Sequence, residues 1–299
     1  MWQIFAILSL VSTGLESIAD KWAIVRDRRI DAAVATFWRN SLFFIFTLLV
    51  GYMGWLGEIV WHFDFLVLSF AVIAAISGYC YTYLLRKIEV TGIVAETYLL
   101  PLIFLGIDAT YLHVPLTAAQ IVGVVLLTLG GFMITIDGKT HRLKRGFSFA
   151  VWLIFIYWMA YDGFEYYLFK YLNATLKINS VSFFASVWLV VVALLLLAVV
   201  LGGRFRKLFS SDSARYIPLV AVSKIFDTGA ALLWLTALSF VAVSQVAAIG
   251  ALEPLIVFLL AIIVQKATRF NIRERIDRAN FLWKAFAVVL FCAGTMLVS

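Results

Sequence analysis

The chain has 299 residues, of which 64% are hydrophobic and only 14% are charged, and its mean hydropathy is +1.01. A soluble domain carries roughly 25% charged residues, and this chain has too few to cover a surface, so a soluble globular protein is excluded. The net charge of +7 fits a membrane protein with basic loops better than a nucleic-acid binder. Both cysteines lie within apolar runs, which excludes a disulfide-rich secreted domain.

The apolar residues form ten runs, and a helix needs about 20 residues to cross a bilayer. The runs are continuous rather than alternating, which predicts an all-α integral membrane protein and not a β-barrel. The first run starts without a basic segment or a cleavage site, so we expect a retained helix rather than a signal peptide. In chain order the predicted spans are 1–22, 33–53, 66–85, 90–112, 117–136, 147–170, 178–201, 216–238, 242–264 and 281–298.

Lysine and arginine are distributed unevenly between the two sides that these spans define. Of the 24 Lys and Arg residues, 19 fall in the five connections on one side, two fall on the other side, and three lie within spans. Basic connections usually face the cytoplasm. We therefore expect a multi-pass protein of a bacterial or archaeal cell membrane, with both termini extracytoplasmic.

The two halves of the sequence resemble each other. The matching features, in order, are Gly14, Glu16 and Lys21 against Gly163, Glu165 and Lys170, then Pro101 against Pro254, and residues 117–136 against 281–298. Five spans per half is an odd number, so the second copy would be inverted in the membrane, as in many secondary transporters. We predict a first repeat over 1–137 and a second over 138–299.

Ionisable side chains within the spans are costly and are by default functional candidates. Glu96 in span 4 and Glu253 in span 9 are two of them. Others share a helix face with further polar or aromatic residues. These stripes are Ser9, Thr13, Glu16 and Asp20 on span 1, Tyr79 and Tyr83 on span 3, Trp158, Tyr161, Asp162 and Glu165 on span 6, and Lys224, Asp227 and Trp234 on span 8.

Several of these residues also have a structural explanation. Lys224 and Asp227 are three residues apart and can pair with each other. Asp20 is expected at the cytoplasmic interface, solvated beside Lys21, and Arg39 near the start of span 2 is expected to snorkel. The strongest functional candidates are the deep carboxylates without an obvious local cation, with Glu96 just below them: Glu16, Asp162, Glu165 and Glu253.

Three stretches of the sequence resemble a known family. Span 5 reads Leu116-Thr117-x-x-Gln120-x-x-Gly123 with Gly130-Gly131, span 9 contains Ala251-Leu252-Glu253-Pro254, and Arg39 lies near the start of span 2. This pattern resembles the EamA-type ten-helix members of the drug/metabolite transporter superfamily. Two positions differ, because His113-Val114 replaces a Gly-Glu pair before span 5, and Leu100-Pro101 stands where the second half has Glu253-Pro254.

The resemblance implies ten transmembrane helices in two inverted five-helix repeats around a central cavity, lined by spans 1, 3, 4, 6, 8 and 9. It also implies the transport of small polar metabolites by alternating access. The sequence has no H-E-x-x-H, Walker A or G-x-S-x-G motif, so we expect no enzymatic activity and no cofactor.

The charges on those six spans bear on the substrate. These spans contain eight acidic residues but one clear base, Lys224. This excess of acids favours a cationic or zwitterionic substrate such as an amine or an amino acid. Proton coupling is an alternative use for a buried carboxylate. A flippase for an amphipathic lipid or a lipid-linked head group is the other functional interpretation, and it would need basic residues for a phosphate.

Overall fold

In the computed structural model the described residues form helices joined by turns and connections, and they include no strand. Its α-helices are α1 (Trp2–Arg26), α2 (Ala32–Tyr52), α3 (Phe65–Lys87), α4 (Ala118–Thr135), α5 (Ser180–Leu201), α6 (Ser211–Phe240), α7 (Glu253–Ala267) and α8 (Arg278–Val298), with a 3-10 helix over Phe205–Phe209. The described residues are 2–26, 29–54, 58–87, 117–135, 153–154, 156–157, 161, 179–240, 246, 249–250, 252–267 and 278–298.

Each of these α-helices coincides with a predicted span, to within a few residues at most ends. Five of them, α1, α2, α3, α5 and α6, are long and apolar enough to cross a membrane. The prediction of a membrane protein built from apolar helices is therefore supported in the described part of the chain. Span 90–112 lies outside the described residues, and span 147–170 is described at only five positions.

The ends of the helices follow local sequence signals. Asp31 caps α2, accepting a hydrogen bond from the Ala33 amide at 2.9 Å, and Asn179 caps α5, accepting from the Ser182 amide at 2.8 Å. Glycines follow the other ends of these two helices, where Gly54 and Gly203 have φ of 71° and 66°, a region that disfavours other residues.

The family-like motif of span 5 has a structural role at the start of α4. The Thr117 amide donates to Gln120 Oε1 at 2.9 Å, and the Gln120 amide donates to Thr117 Oγ1 at 3.2 Å. This reciprocal pair is a capping box, which satisfies two amides at the beginning of a helix. The Thr-x-x-Gln spacing is thus explained by helix capping.

Helix packing brings distant parts of the chain together. Helix α1 packs between α6 and α7, and it runs antiparallel to α6, since Phe5 stacks on Phe240 while Glu16 reaches Lys224. Helix α2 packs on α3, α5 and α6, and α4 packs on α8. The largest described core lies among α1, α2, α3, α5 and α6.

A close approach at Gly14 joins α1 to α7. A Cβ atom at this position would lie 2.9 Å from Leu260 Cδ1 and 3.4 Å from Val257 Cγ2. Ile18, one turn further along α1, packs in the same contact with Val257 and Ala261. The absence of a side chain at Gly14 therefore lets α7 come close to the helix that carries Glu16.

Candidate functional site

Helix α1 directs its polar face toward α6. Ser9 Oγ donates to the Ala230 carbonyl at 2.8 Å, and Glu16 and Asp20, one turn apart, both contact α6 side chains. The exposed fractions of Glu16 and Asp20 are 6% and 0%. Of the predicted polar stripe of span 1, Ser9, Glu16 and Asp20 are therefore buried against α6, whereas the partly buried Thr13 donates to the Ser9 carbonyl within α1.

Lys224 of α6 lies among three carboxylates. Its Nζ is 2.7 Å from Glu16 Oε1, 2.6 Å from Asp227 Oδ2 and 3.3 Å from Asp20 Oδ2. An ammonium has three donors, so these three acceptors can use all of them. The predicted pairing of Lys224 with Asp227 is confirmed. Glu16 was predicted to have no local cation, and its cation, Lys224, comes from a distant part of the sequence.

Arg39 of α2 belongs to the same cluster. Its Nε and Nη2 lie 2.9 Å and 2.6 Å from Asp20 Oδ2, and Nη2 is 3.7 Å from Glu16 Oε1. The guanidinium carbon lies 4.5 Å from the ring centroid of Tyr81, and Nη1 is 3.4 Å from Thr82 Oγ1. Arg39 is only 7% exposed, so the prediction that it snorkels to an interface is wrong.

Asp20 was expected to be solvated beside Lys21, and the structure corrects this as well. Its Oδ1 accepts a hydrogen bond from Ser223 Oγ at 2.6 Å, while its Oδ2 faces Arg39 and Lys224. The ammonium of Lys21 instead donates to the carbonyl of Leu85 at the end of α3. Neighbouring residues on a helix point about 100° apart, which explains why Asp20 and Lys21 have different partners.

Glu16, Asp20, Arg39, Lys224 and Asp227 together form what we call the charged network. Three carboxylates meet two cations, so the network carries a formal excess of one negative charge. The side chain of Asp227 is 34% exposed, whereas the other four are at most 8% exposed. Asp227 is therefore the member of the network whose side chain is most accessible to another molecule.

The network lies inside the helices rather than at their ends. At a rise of 1.5 Å per residue, Asp20 is about 9 Å from the end of α1, Arg39 about 10 Å from the start of α2, and Lys224 about 20 Å from the start of α6. These are helices of membrane-spanning length. Charges at such depth are expected to be paired or to line a cavity, and here they are paired.

The predicted tyrosines of α3 lie on either side of the residue that touches the network. Tyr79 is 46% exposed, and Tyr83 packs against the core. Tyr81, between them, is 8% exposed and supplies the ring under Arg39. Residues two apart lie on roughly opposite faces of a helix. The predicted face with Tyr79 and Tyr83 therefore did not include Tyr81.

Three further predicted residues occupy other places in the bundle. Tyr161 is buried and stacks on Phe70 with centroids 5.3 Å apart. Trp234 packs with a small cluster that includes Ala6 and Val246. Glu253 is 8% exposed at the first residue of α7.

Span 9 is interrupted immediately before that glutamate. Residues 246, 249 and 250 are helical, Leu252 forms a turn, and α7 begins at Glu253. Pro254 accordingly stands in the first turn of a helix, where its missing amide costs no internal hydrogen bond. The remaining predicted site residues lie outside the described residues: Glu96, Trp158, Asp162 and Glu165.

Sequence reasoning did not assign Arg39 to the functional site, although span 2 carries a usable signal. Thr36, Arg39, Asn40 and Thr47 recur at helical spacing in an otherwise apolar run, and all four are buried. Such a polar stripe predicts a face turned toward other protein helices rather than toward lipid. The tertiary partners Ser223 and Tyr81 have no comparable signal.

Comparisons with known proteins bear on the fold. No family model and no curated protein matches the chain. Solved structures do match, and one of them, described only as "Crystal structure of protein", superposes with a TM-score of 0.65 over 98% of this chain and 95% of its own. The sequence identity is 14%, so the likeness shows a shared fold, extending over nearly the whole chain, and nothing about activity.

Proposed function

We propose that this chain is a secondary transporter, working as an exporter, that moves a small polar amine-bearing metabolite across the membrane by alternating access. The charged network is the observation that carries the proposal. A protein that only packs apolar helices has no need for five ionisable side chains at this depth, and such residues commonly mark substrate or ion pathways in membrane proteins.

The charge balance of the network supports a cationic or zwitterionic substrate. The three carboxylates and two cations leave one net negative charge, which one further positive charge would neutralise. An ammonium group at the exposed side of Asp227 would supply it. A phosphate there would instead be repelled, since unit charges about 4 Å apart interact by about 4 kcal/mol at an effective dielectric constant of 20. A proton is the other charge that the network could take up, which would couple transport to the proton gradient.

Glu16 and Asp20 contribute less to this substrate preference than their charges alone would predict. Both carboxylates are compensated by Arg39 and Lys224, so they do not attract a substrate as free charges would. The electrostatic preference within the described residues therefore comes from the single excess charge and its exposure at Asp227.

We further propose that the architecture is a ten-helix inverted repeat of the EamA type, with halves 1–137 and 138–299. The packing of the described helices supports this. Helices α2 and α5 hold the same place in the two halves and pack on each other, as do α4 and α8. Helix α2 also contacts α6, the third helix of the second half, and α5 contacts α3, the third helix of the first half. Each of these two contacts is the counterpart of the other in the opposite half.

The caps of α2 and α5 support the same architecture. Asp31 caps α2 and pairs with Arg204 in the connection that follows α5. Asn179 caps α5, and its Nδ2 donates to the Glu58 carbonyl, in the connection that follows α2, at 2.9 Å. Each cap thus reaches the connection that leaves the other helix, as a two-fold relation between the halves requires.

Transport by the purified full chain in proteoliposomes tests the proposed function. A radiolabelled amine or amino acid is loaded, and amines, amino acids and sugar phosphates compete in turn. We expect inhibition by the amine-bearing compounds alone. Inhibition by phosphates alone would contradict the proposal and favour the lipid head-group flippase.

A variant pair connects that assay to the network. Asp227→Asn should lower transport about tenfold or more, since an interaction with a charged group contributes about 1.5–3 kcal/mol. Asp212→Asn removes an acidic residue from the first turn of the same helix, outside the network, and should transport like the parent. Equal activity of both variants would exclude Asp227 from the substrate path.

A further inference from the structure

The connection between α5 and α6 combines exposed aromatic and basic side chains. We call Arg204, Phe205, Arg206, Lys207 and Phe209 the basic-aromatic corner. Phe205 and Phe209 are 49% and 74% exposed, and the side chains of Arg204 and Lys207 are 43% and 60% exposed. The corner therefore presents both rings and charges at its surface.

The corner is held rigidly in place. Leu208, in the middle of the 3-10 helix, is only 3% exposed and belongs to the main core. The Lys207 carbonyl accepts hydrogen bonds from Ser213 Oγ at 2.6 Å and Ser210 Oγ at 2.8 Å. The exposed side chains thus project from a fixed backbone.

Covalent continuity puts the corner at the boundary of the bilayer. It joins α5 to α6, both of membrane-spanning length, and the last residues of α5 present exposed apolar side chains at Val200 and Leu201. Helix α6 has 30 residues and would be about 45 Å long, so its polar first turns reach beyond the hydrocarbon core. Aromatic rings and basic side chains both favour the interfacial region.

The charges of the corner are only partly balanced. Arg204 Nε lies 3.1 Å and Lys207 Nζ lies 3.5 Å from Asp31 Oδ2, so one carboxylate serves two cations. Arg206 is exposed beside them, and Arg215 is exposed on the first turns of α6. Asp31 and Asp212, in the first turn of α6, oppose these four cations, so the local charge is still positive and complements an anionic surface.

We propose that the basic-aromatic corner binds the phosphate-bearing head group of an anionic phospholipid. Arg206 and Lys207 contact the phosphate, while Phe205 and Phe209 enter the boundary between head groups and acyl chains. When the lipid binds, Arg204 and Lys207 leave the carboxylate of Asp31 and contact the phosphate instead. This loosens the contact between the corner and the start of α2.

Native mass spectrometry and thermal unfolding of the purified full chain test the proposal, with phosphatidylglycerol, phosphatidylcholine and inorganic phosphate as probes. We expect phosphatidylglycerol to bind and to raise the Tm more than phosphatidylcholine does. Equal effects of the two lipids, or an equal effect of inorganic phosphate, would overturn the proposal.

Variants test the place of binding. Arg206→Gln with Lys207→Gln should weaken phosphatidylglycerol binding by about tenfold or more, given the contribution of each basic residue near an anionic surface. The matched control, Arg26→Gln with Arg29→Gln, removes two exposed charges from the end of α1 and the connection to α2, at the same end of the bundle but outside the corner, and should bind like the parent. Equal losses in the two double variants would mean general attraction and no site.

Asp31→Asn tests the exchange of partners. Asparagine keeps the cap of α2 but removes the carboxylate that competes for Arg204 and Lys207. We expect tighter binding of phosphatidylglycerol by several-fold. Unchanged or weaker binding would show that the lipid does not take these cations from Asp31.

Discussion

Asp20 joins three helices through one carboxylate. It has no exposed surface, and its oxygens contact Arg39 of α2 and both Ser223 and Lys224 of α6. Among the residues that the structure describes, removing its charge leaves Arg39 with the more distant Glu16 as its acidic partner. The cost of leaving a buried charge without its partner is typically about 3–5 kcal/mol.

Asp20→Asn should therefore lower the Tm of the purified protein clearly, whereas Asp227→Asn should lower it less. The reason for the difference is exposure, because the side chain of Asp227 is 34% exposed and water can replace part of what is lost. Thermal unfolding of the parent and both variants in one detergent provides the measurement. Similar Tm values for the two variants would contradict the buried role of Asp20.

At the scale of helices, the contact between α1 and α7 depends on Gly14. The space at this position is already filled by Leu260 and Val257, so a branched side chain would push α7 away from α1. Gly229 in α6 is the matched control, because a Cβ atom there would meet no other heavy atom within 4 Å.

We expect Gly14→Val to lower the Tm by an amount that corresponds to about 1–3 kcal/mol. Gly229→Val should change it much less. The measurement is again thermal unfolding in a common detergent. If the two variants unfold at the same temperature, the close packing of α1 on α7 is not needed for stability.

At the scale of the whole molecule, three basic connections meet at one end of the bundle. Arg86 at the end of α3 donates to the Ile30 carbonyl at 2.7 Å, and Asp31 next to it pairs with Arg204 after α5. The distribution of Lys and Arg predicts that this end is cytoplasmic. Both termini would then be extracytoplasmic.

A fluorescent protein that matures only in the cytoplasm tests this orientation. Fused to the C-terminus of the chain, it should stay dark in bacterial cells, while the same domain inserted in the 137–146 connection should fluoresce. The opposite pattern would reverse the predicted orientation. Expression of both fusions is checked by immunoblotting.

Local features of the sequence are enough to locate the helices that the structure describes. An apolar run of sufficient length is a local feature, and from it α2 and α5 were predicted within a few residues. The caps Asp31 and Asn179 and the glycines that follow these helices are local signals too, which the prediction did not use. The sequence by itself also determined which side chains share a face of α1, because that depends only on helical geometry.

Which of those faces meet depends on how the helices pack in three dimensions. Lys224 pairs with Glu16 although 208 positions separate them, and Arg39 reaches Asp20 because α1 and α2 turn these faces toward each other. A charged residue in a span can snorkel, pair or line a cavity, and its sequence neighbours are the same in all three cases. The packing of the helices determines which of the three applies, and Asp20 and Arg39 form a buried ion pair.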